Sequence, residues 1–336
     1  IMPYLIATVE RSAQESANYI KAIIQKECTA IHPSILWKFE EEAARYMETV
    51  LIDKNNNPQF NDVTFDYVHP LFGQIDIIGS STVRNEAIQA DFDLLTKGRL
   101  SEPIPEGVQC VSRENIFIEE GAEVLFSSLN ASSGPIYIGK DAEVMEGCAI
   151  RGPFALCDHA TLKMGAKIYG ATTIGPHTKV GGEVNNSVIF GFSNKGHDGF
   201  LGNSVIGEWC NIGADSNNSN LKNNYAEVRL WNYETENFAK TGLQFCGLMM
   251  GDHSKCGINT MFNTGTVVGV SANIFGGGFP RNFISSYSWG GSSGFSTYLT
   301  KKAFEVSKVV MSRRNIEFSE QDEKILLAIF EDTKKF

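Results

Sequence analysis

From Ile138 to Val180 an apolar residue recurs at every sixth position: Ile138, Val144, Ile150, Leu156, Leu162, Ile168, Ile174 and Val180. An amphipathic helix would repeat near 3.6 residues and a half-buried strand at two, so neither fits. A sustained period of six belongs to a solenoid in which each hexad is one short strand and a corner, and three hexads close a triangular coil. The apolar residue then points into the prism, and the Gly, Asp, His and Lys residues between the hits occupy the corners. Ile118 and Val124 already stand six apart, and an insert, Leu125 to Gly134, separates them from the regular run.

After Val180 the frame shifts by two residues. Val188, Phe200, Ile206 and Ile212 share a new frame, with Asn194 filling the intervening site. A second shift of two follows, and Met250, Cys256, Phe262, Val268 and Ile274 occupy a third frame; the site one hexad earlier, Gln244, is polar. Each shift is expected to mark a corner where the coil bulges outward, first at Gly181 to Asn186 and then within Asn217 to Gly242. Loops on a rigid scaffold are where function concentrates. Both stretches carry asparagines (Asn185 and Asn186; Asn217, Asn218, Asn220, Asn223 and Asn224), which also suit corners because Asn tolerates positive φ.

The flanks follow other patterns. Ser12 to Lys26 and Pro33 to Thr49 have helical spacing, Asp53 to Pro58 reads as a loop, Ile75 to Ile78 as a strand and Val83 to Leu95 as a helix. The prolines at 103 and 105 mark a boundary. Gly276 to Phe295 reads as a long Gly/Ser/aromatic loop that ends the periodicity. Two helices close the chain, about Tyr298 to Arg313 and Ser319 to Lys334, the second capped by Ser319. Such a pair suits the open end of a solenoid. The expected organisation is a mixed α/β segment over 1–100, a β-helix over 104–276, and a loop with a helical pair over 277–336.

Composition narrows the function. A net charge of −10 argues against a general nucleic-acid binder, and 32 glycines suit a corner-rich β architecture. Seven cysteines form no CxxC pair, which points to a reducing cytoplasm and away from structural zinc. No paired His/carboxylate spacing suggests a catalytic metal, and no glycine run has the strand and helix context of a dinucleotide fingerprint. No apolar stretch is long enough for a membrane span. The chain opens at Ile1, and residues upstream are expected to have been cleaved or not included.

Of six histidines, His159, His177 and His253 fall at hexad corners and are expected to face solvent as structural residues; His32 and His69 lie beside prolines. His197 differs, because it stands in Lys195-Gly196-His197-Asp198-Gly199-Phe200 just past the first shift. Flanking glycines let a ligand approach, and a histidine titrating near ~6.5 is a natural general base for an amine at neutral pH.

These residues carry a family resemblance. Arg151-Gly-Pro-Phe-Ala, Lys179-Val-Gly, Lys195-Gly-His197, Phe200-Leu-Gly-Asn, Ile206-Gly and Asn211-Ile-Gly-Ala resemble the acetyltransferase domain of the bifunctional N-acetylglucosamine-1-phosphate uridyltransferase/glucosamine-1-phosphate acetyltransferase family. More closely, the run from Asp91 through Phe330 resembles bacterial sugar-nucleotidyltransferase-like relatives, with phrases such as Thr241-Gly-Leu-Gln-Phe-Cys-Gly and Gly278-Phe-Pro-Arg-Asn-Phe. The resemblance implies a left-handed parallel β-helix of hexapeptide repeats that works as a cytoplasmic homotrimer with acetyl-CoA as co-substrate. It makes His197 the base that takes a proton from a sugar amine. It also implies a substrate site of Asn185, Asn186, Lys195, Phe200, Asn211, Asn220 and Lys222, and donor contacts at Lys255, Ile258 and Arg281.

Departures from the family bear on the substrate. Two arginines are replaced by Leu156 and Cys157, a phosphate-binding lysine by Asn185, and a tyrosine by Leu221, which an insertion follows through about Lys240. Each lost charge-assisted contact is worth on the order of 1.5–3 kcal/mol. Either Lys195, Lys222, Arg229 and Arg281 take over the anion, or the substrate differs, or acetyl transfer is lost. Residues 1–90 lack the Gly-rich loop of a uridyltransferase domain, so nucleotidyl transfer is not assigned to them. The sequence therefore supports an acyltransferase acting on an amino-sugar phosphate or nucleotide sugar. The alternative is a non-catalytic sugar-nucleotide-binding or trimerisation scaffold serving a nucleotidyltransferase.

Overall fold

In the computed structural model, the chain is described over residues 80–336, together with the single position Arg45. The helices expected at Ser12 to Lys26 and Pro33 to Thr49, the loop Asp53 to Pro58 and the strand Ile75 to Ile78 lie outside the described residues. From Gln109 the chain winds as a left-handed parallel β-helix whose strands are two to four residues long. Strands that short cannot persist alone; each is held by backbone bonds to the coils on either side and by one side chain turned into the prism.

The inward residues form columns. On the second face Ile118, Ile138, Leu156, Ile174, Ile189, Ile206, Met250, Val268 and Ile284 stack in register. All of them are buried in one continuous core. On the third face the column runs through Val124, Val144, Leu162, Val180 and Lys195, and resumes in Ile212, Cys256, Ile274 and Gly290. Every hexad position expected between Ile138 and Val180 is buried, as are Met250, Cys256, Phe262, Val268 and Ile274.

Between those runs the frame differs from expectation. Ile189, Lys195 and Leu201 face inward, not Val188, Asn194 and Phe200. The cause is shortening and not a bulge. Ile174 pairs with Ile189 fifteen positions on, where the two preceding coils advance by eighteen, because the Gly181–Val184 corner is two residues tighter and the Ser187 corner one. The solenoid also continues past Gly276. Phe283–Ile284 and Ser288–Gly291 add a further coil, and the antiparallel strand Gly294–Thr297 caps it. This coil advances by sixteen residues where three hexads take eighteen, and it has a glycine at the inward site, Gly290; both hide it from a six-residue count.

The three edges are treated differently. Between the first and second faces the helix Ser80–Thr96 lies along the early coils, where Arg84 donates to the Asn186 carbonyl. At the later coils this edge extrudes an arm, the antiparallel hairpin Arg229–Asn232/Asn237–Lys240, which packs Val228, Leu230 and Trp231 over Met249, Val267 and Phe283 of the second face. This is the second frame shift, and here an insertion is the correct reading.

The edge between the second and third faces carries a ladder of rings. His159, His177, Phe192, Trp209 and His253 all have φ between 57° and 59°, and successive rings stack nearly parallel at 4.7, 4.9, 4.3 and 6.2 Å. The helices Thr300–Ser312 and Glu320–Thr333 cover its later rungs through Phe304, Met311, Phe318 and Leu326. Ser319 caps the last helix in a capping box with Asp322. The corner histidines are therefore stacked, and His253 is mostly covered, with its Nδ1 3.2 Å from the Ser307 hydroxyl.

One ladder is broken. The second and third sheets run on through the middle coils, but the first sheet stops at Phe200–Gly202, and Asn217–Asn218 pairs only onward to Met261–Phe262. Asparagine side chains span the gap: Asn217 Oδ1 accepts from the Phe200 amide at 2.8 Å, Asn218 Oδ1 accepts from the Gly202 amide at 2.8 Å, and Asn218 Nδ2 donates to the Gly202 carbonyl at 3.0 Å. The arm returns beside this seam at Gly247, where a Cβ would lie 1.9 Å from the Gly202 carbonyl oxygen, so only glycine fits.

Two outcomes follow. Asn218→Leu leaves the buried Gly202 amide without a partner and its carbonyl with only the Ser204 hydroxyl, and should cost about 1–3 kcal/mol in urea unfolding; a loss below ~0.5 kcal/mol would mean that the seam closes by direct backbone pairing. Burial, with help from Lys255, lowers the His253 pKa to about 4 against an opposing effect of Asp322. The fold thus keeps this ring neutral while the unfolded chain protonates it below ~6.5, so stability is full above that value and falls as pH drops toward 4. The loss from this group should reach roughly 3 kcal/mol. His253→Phe, which repeats the ring that Phe192 places at the equivalent corner, should flatten that part of the pH dependence of thermal unfolding.

Candidate functional site

His197 sits on the third edge, between the third and first faces, which among the described residues neither helices nor the arm cover. Its ring is exposed, and the residues around it are small: Gly196 and Gly199 in its own corner, Gly181 and Gly182 one coil before, Gly213 one coil after. At Gly182 (φ 72°) a Cβ would stand 2.8 Å from the Asp198 Cα and 2.9 Å from the His197 carbonyl oxygen. Close stacking of corners therefore demands glycine and leaves the imidazole standing clear of its neighbours. Asp198 uses its carbonyl to accept from the Asp215 amide at 2.9 Å, tying the corner to the next coil.

Phe200 continues from this corner onto the outer surface of the first face. Leu201 turns inward, so Phe200 and Gly202 turn outward, level with Glu183 and Asn185 of the coil before. Tyr169 stands on the same surface and donates to Glu183 Oε1 at 2.6 Å, a bond that pushes its pKa up to about 12 and keeps the hydroxyl protonated. At the far margin Asn185 Nδ2 donates to the Tyr169 carbonyl and Asn186 Oδ1 accepts from the Ala171 amide. Asn220 Nδ2 donates to Asn203 Oδ1 at 2.8 Å. His197, Phe200, Asn185, Asn186 and Asn220 thus border one sheet surface, with the seam of Asn217 and Asn218 crossing it.

Other expected residues lie elsewhere. Lys195 is not a ligand-facing cation: it is 2% exposed, occupies the inward column, and donates to the carbonyls of Gly181 at 2.9 Å and His197 at 2.6 Å. Burial lowers its pKa to about 8. Asn211 belongs to the third face, where its Oδ1 accepts from Asn194 Nδ2 at 2.9 Å. Lys255 is also on the third face and donates to the His253 carbonyl. Ile258 is 71% exposed and shares the bare edge with His197. Leu156 is completely buried, so its position is a core site and not a vacated arginine position.

Lys222 and Arg281 come together with Arg229 at the arm. They line a cavity of 610 Å³ that also includes Trp231, Phe238 and Phe283. Three of the four cations named from sequence as substitutes for the missing phosphate ligands therefore converge, and Lys195 does not join them. The aromatic wall had no sequence signal, since Phe283 lies 52 positions beyond Trp231 and meets it only through the stacking of coils. Among the described residues no cluster of His, Cys, Asp and Glu could hold a metal ion, and no helix is long and apolar enough to cross a membrane.

No protein-family model matches the chain. A bifunctional sugar-1-phosphate nucleotidylyltransferase/acetyltransferase of Sulfurisphaera tokodaii is 30% identical over 146 residues, covering 43% of this chain and 36% of that protein. The bifunctional protein GlmU of Thermus thermophilus is 28% identical over 164 residues, 41% of this chain and 35% of its own length. The chain thus spans about a third of the length of the curated relatives it matches. Among solved structures, a variant of AntD, an N-acyltransferase from Bacillus cereus in complex with dTDP and coenzyme A, aligns with a TM-score of 0.26 at 12% identity, over 61% of this chain and 91% of that chain. Over the matched stretch, the chain is a distant homologue of bifunctional nucleotidylyltransferase/acetyltransferase proteins.

Proposed function

We propose that this chain is an acyltransferase that moves an acetyl group from acetyl-CoA to the amine of an amino-sugar phosphate or nucleotide sugar. The observation that carries the reading is His197, exposed on a glycine-cleared edge within a motif resembling that of the family's catalytic base. The amine lone pair attacks the thioester carbonyl, the C–N bond forms, and the C–S bond breaks as the tetrahedral intermediate collapses. His197 accepts the ammonium proton as the bond forms and returns it to the departing thiolate. Phe200 and the asparagines at 185, 186 and 220 supply the surface on which the sugar rests. The two bifunctional relatives, named for acetyl transfer as well as nucleotidyl transfer, support this class of reaction.

The bare edge supports a trimer with the site between copies. Phe126, Met164, Ile258, Phe275 and Phe279 are all exposed apolar residues following third-face strands, and His197 stands in the same row. A monomer would leave that row in water, whereas three copies packed edge to face would bury it around His197. The acyl-CoA would lie along this row past Ile258. Free cysteines at 110, 148, 157, 210, 246 and 256 fit a reducing cytoplasmic setting.

A second reading, in which the β-helix is a non-catalytic sugar-nucleotide-binding scaffold, is favoured by one observation. Lys222, Arg229 and Arg281, which make no ion pair among the described residues, gather at the arm, on the opposite margin of the first face from His197. Calorimetry with UDP-sugars separates the two: binding without turnover supports the scaffold.

With a panel of amino-sugar phosphates and nucleotide amino sugars, the wild type should consume acetyl-CoA and His197→Ala should lose about 10²–10⁴-fold in kcat. No consumption above background by either protein would sink the catalytic reading. Sedimentation should give a mass three times the 37.0 kDa chain, and a monomer at working concentration would remove the shared site.

A further inference from the structure

Lys222, Arg229 and Arg281 converge at the arm with no acidic partner among the described residues. In a chain of net charge −10, three such cations on one cavity run against the average. Among the described residues none of the three makes an ion pair. Lys222 Nζ donates to the Glu227 carbonyl at 2.8 Å, while the Glu227 carboxylate faces Lys240 at 3.7 Å. Arg229 Nη2 donates to the Phe238 carbonyl at 2.8 Å, and the Arg281 guanidinium lies 5.6 Å from the centre of the Phe295 ring. Each cation is thus positioned by backbone or ring and keeps donors unused. An anion entering this cavity would meet all three cations at once.

The remaining wall is aromatic. Trp231 stacks on Phe283 at 4.1 Å with an 11° tilt, and Phe238 meets Trp231 edge-on at 5.5 Å. The Trp231 Nε1–H is buried with no hydrogen-bond partner among the described residues, a cost that proteins rarely leave standing. A cavity of 610 Å³ falls in the range of small-molecule sites. Cations beside a rigid aromatic wall match a ligand that carries phosphates at one end and a flat heterocycle at the other.

We propose that the arm cavity binds a nucleoside diphosphate, its phosphates on Lys222, Arg229 and Arg281 and its base against the wall of Phe238, Trp231 and Phe283. This deepens the reading of the acceptor as a nucleotide sugar and rests on it. The arm, which interrupts the hexads, then selects a nucleotide-linked acceptor over a bare sugar phosphate.

The test is isothermal titration calorimetry of the full chain with UDP, dTDP, inorganic pyrophosphate, uridine and coenzyme A. UDP or dTDP should bind saturably, pyrophosphate at least tenfold more weakly, and uridine more weakly than either. Arg229→Gln, Arg281→Gln and Lys222→Gln should each weaken nucleotide binding about tenfold, with unchanged melting temperature and a shallower salt dependence. Four results would each overturn the proposal: no saturable binding of UDP or dTDP at millimolar concentration, equal affinity for pyrophosphate and nucleotide, affinity untouched by all three substitutions, or tighter binding of coenzyme A than of either nucleotide. Acetyl-CoA consumption, followed in parallel, reads the catalytic proposal separately. Nucleotide binding without acetyl transfer sinks that one and leaves this one standing, and acetyl transfer without nucleotide binding does the reverse.

Discussion

A strand of two residues has too few backbone bonds to exist by itself, and more than half of the strands among the described residues are that short. Each depends on the coil before it, the coil after it and one side chain filling the prism. That dependence fixes what can vary. Inward positions must fill the same small volume on every turn, and the strands must keep register on all three faces. Only corners can lose residues, as at Gly181–Val184, or gain them, as at the arm between Asn218 and Met249.

The three edges show what that freedom has been used for. One is roofed by the helix Ser80–Thr96 and then by the arm, and a second by the two C-terminal helices over a stack of rings. Among the described residues the third stays open, lined by glycines and exposed apolar residues, and holds His197. The first face joins the open edge to the arm, so a ligand spanning that face would meet an imidazole at one margin and a cluster of cations near the other.

How much of this was legible depends on what kind of interaction writes the pattern. Burial of aliphatic side chains at fixed spacing is local and repetitive, so the hexads from Ile138 to Val180 and from Met250 to Ile274 stand in the sequence as they stand in the fold. The terminal helices were equally readable, with Ser319 as the cap of the last, whereas its reciprocal bond with Asp322 came only with the structure. Between them the frame was misread, because spacings of four and five residues place Ile189 and Leu201 one position from where a six-count puts them. Two inward positions also carry Lys195 and Asn218, whose polar groups are satisfied by carbonyls and amides of their own or adjacent coils. A polar residue in a hexad column looks like a gap, and nothing local shows that its partners lie a full coil away. The arm cavity was half readable: Lys222, Arg229 and Arg281 could be named as cations, but their meeting with Trp231 and Phe283 depends on which coils the insertion separates.

The seam at Asn217 and Asn218 has a mechanical consequence. A triangular beam resists bending through all three walls, and two of its sheets run unbroken through the middle coils. Where the first is spliced by side chains, the beam keeps its length and handedness but loses stiffness in one direction only. Any bending that opened the first face would pivot on the opposite edge, the one clamped by stacked rings and the C-terminal helices. The compliant side is the side that carries His197 and Phe200, so the wall that would receive a substrate is also the wall that can yield to one.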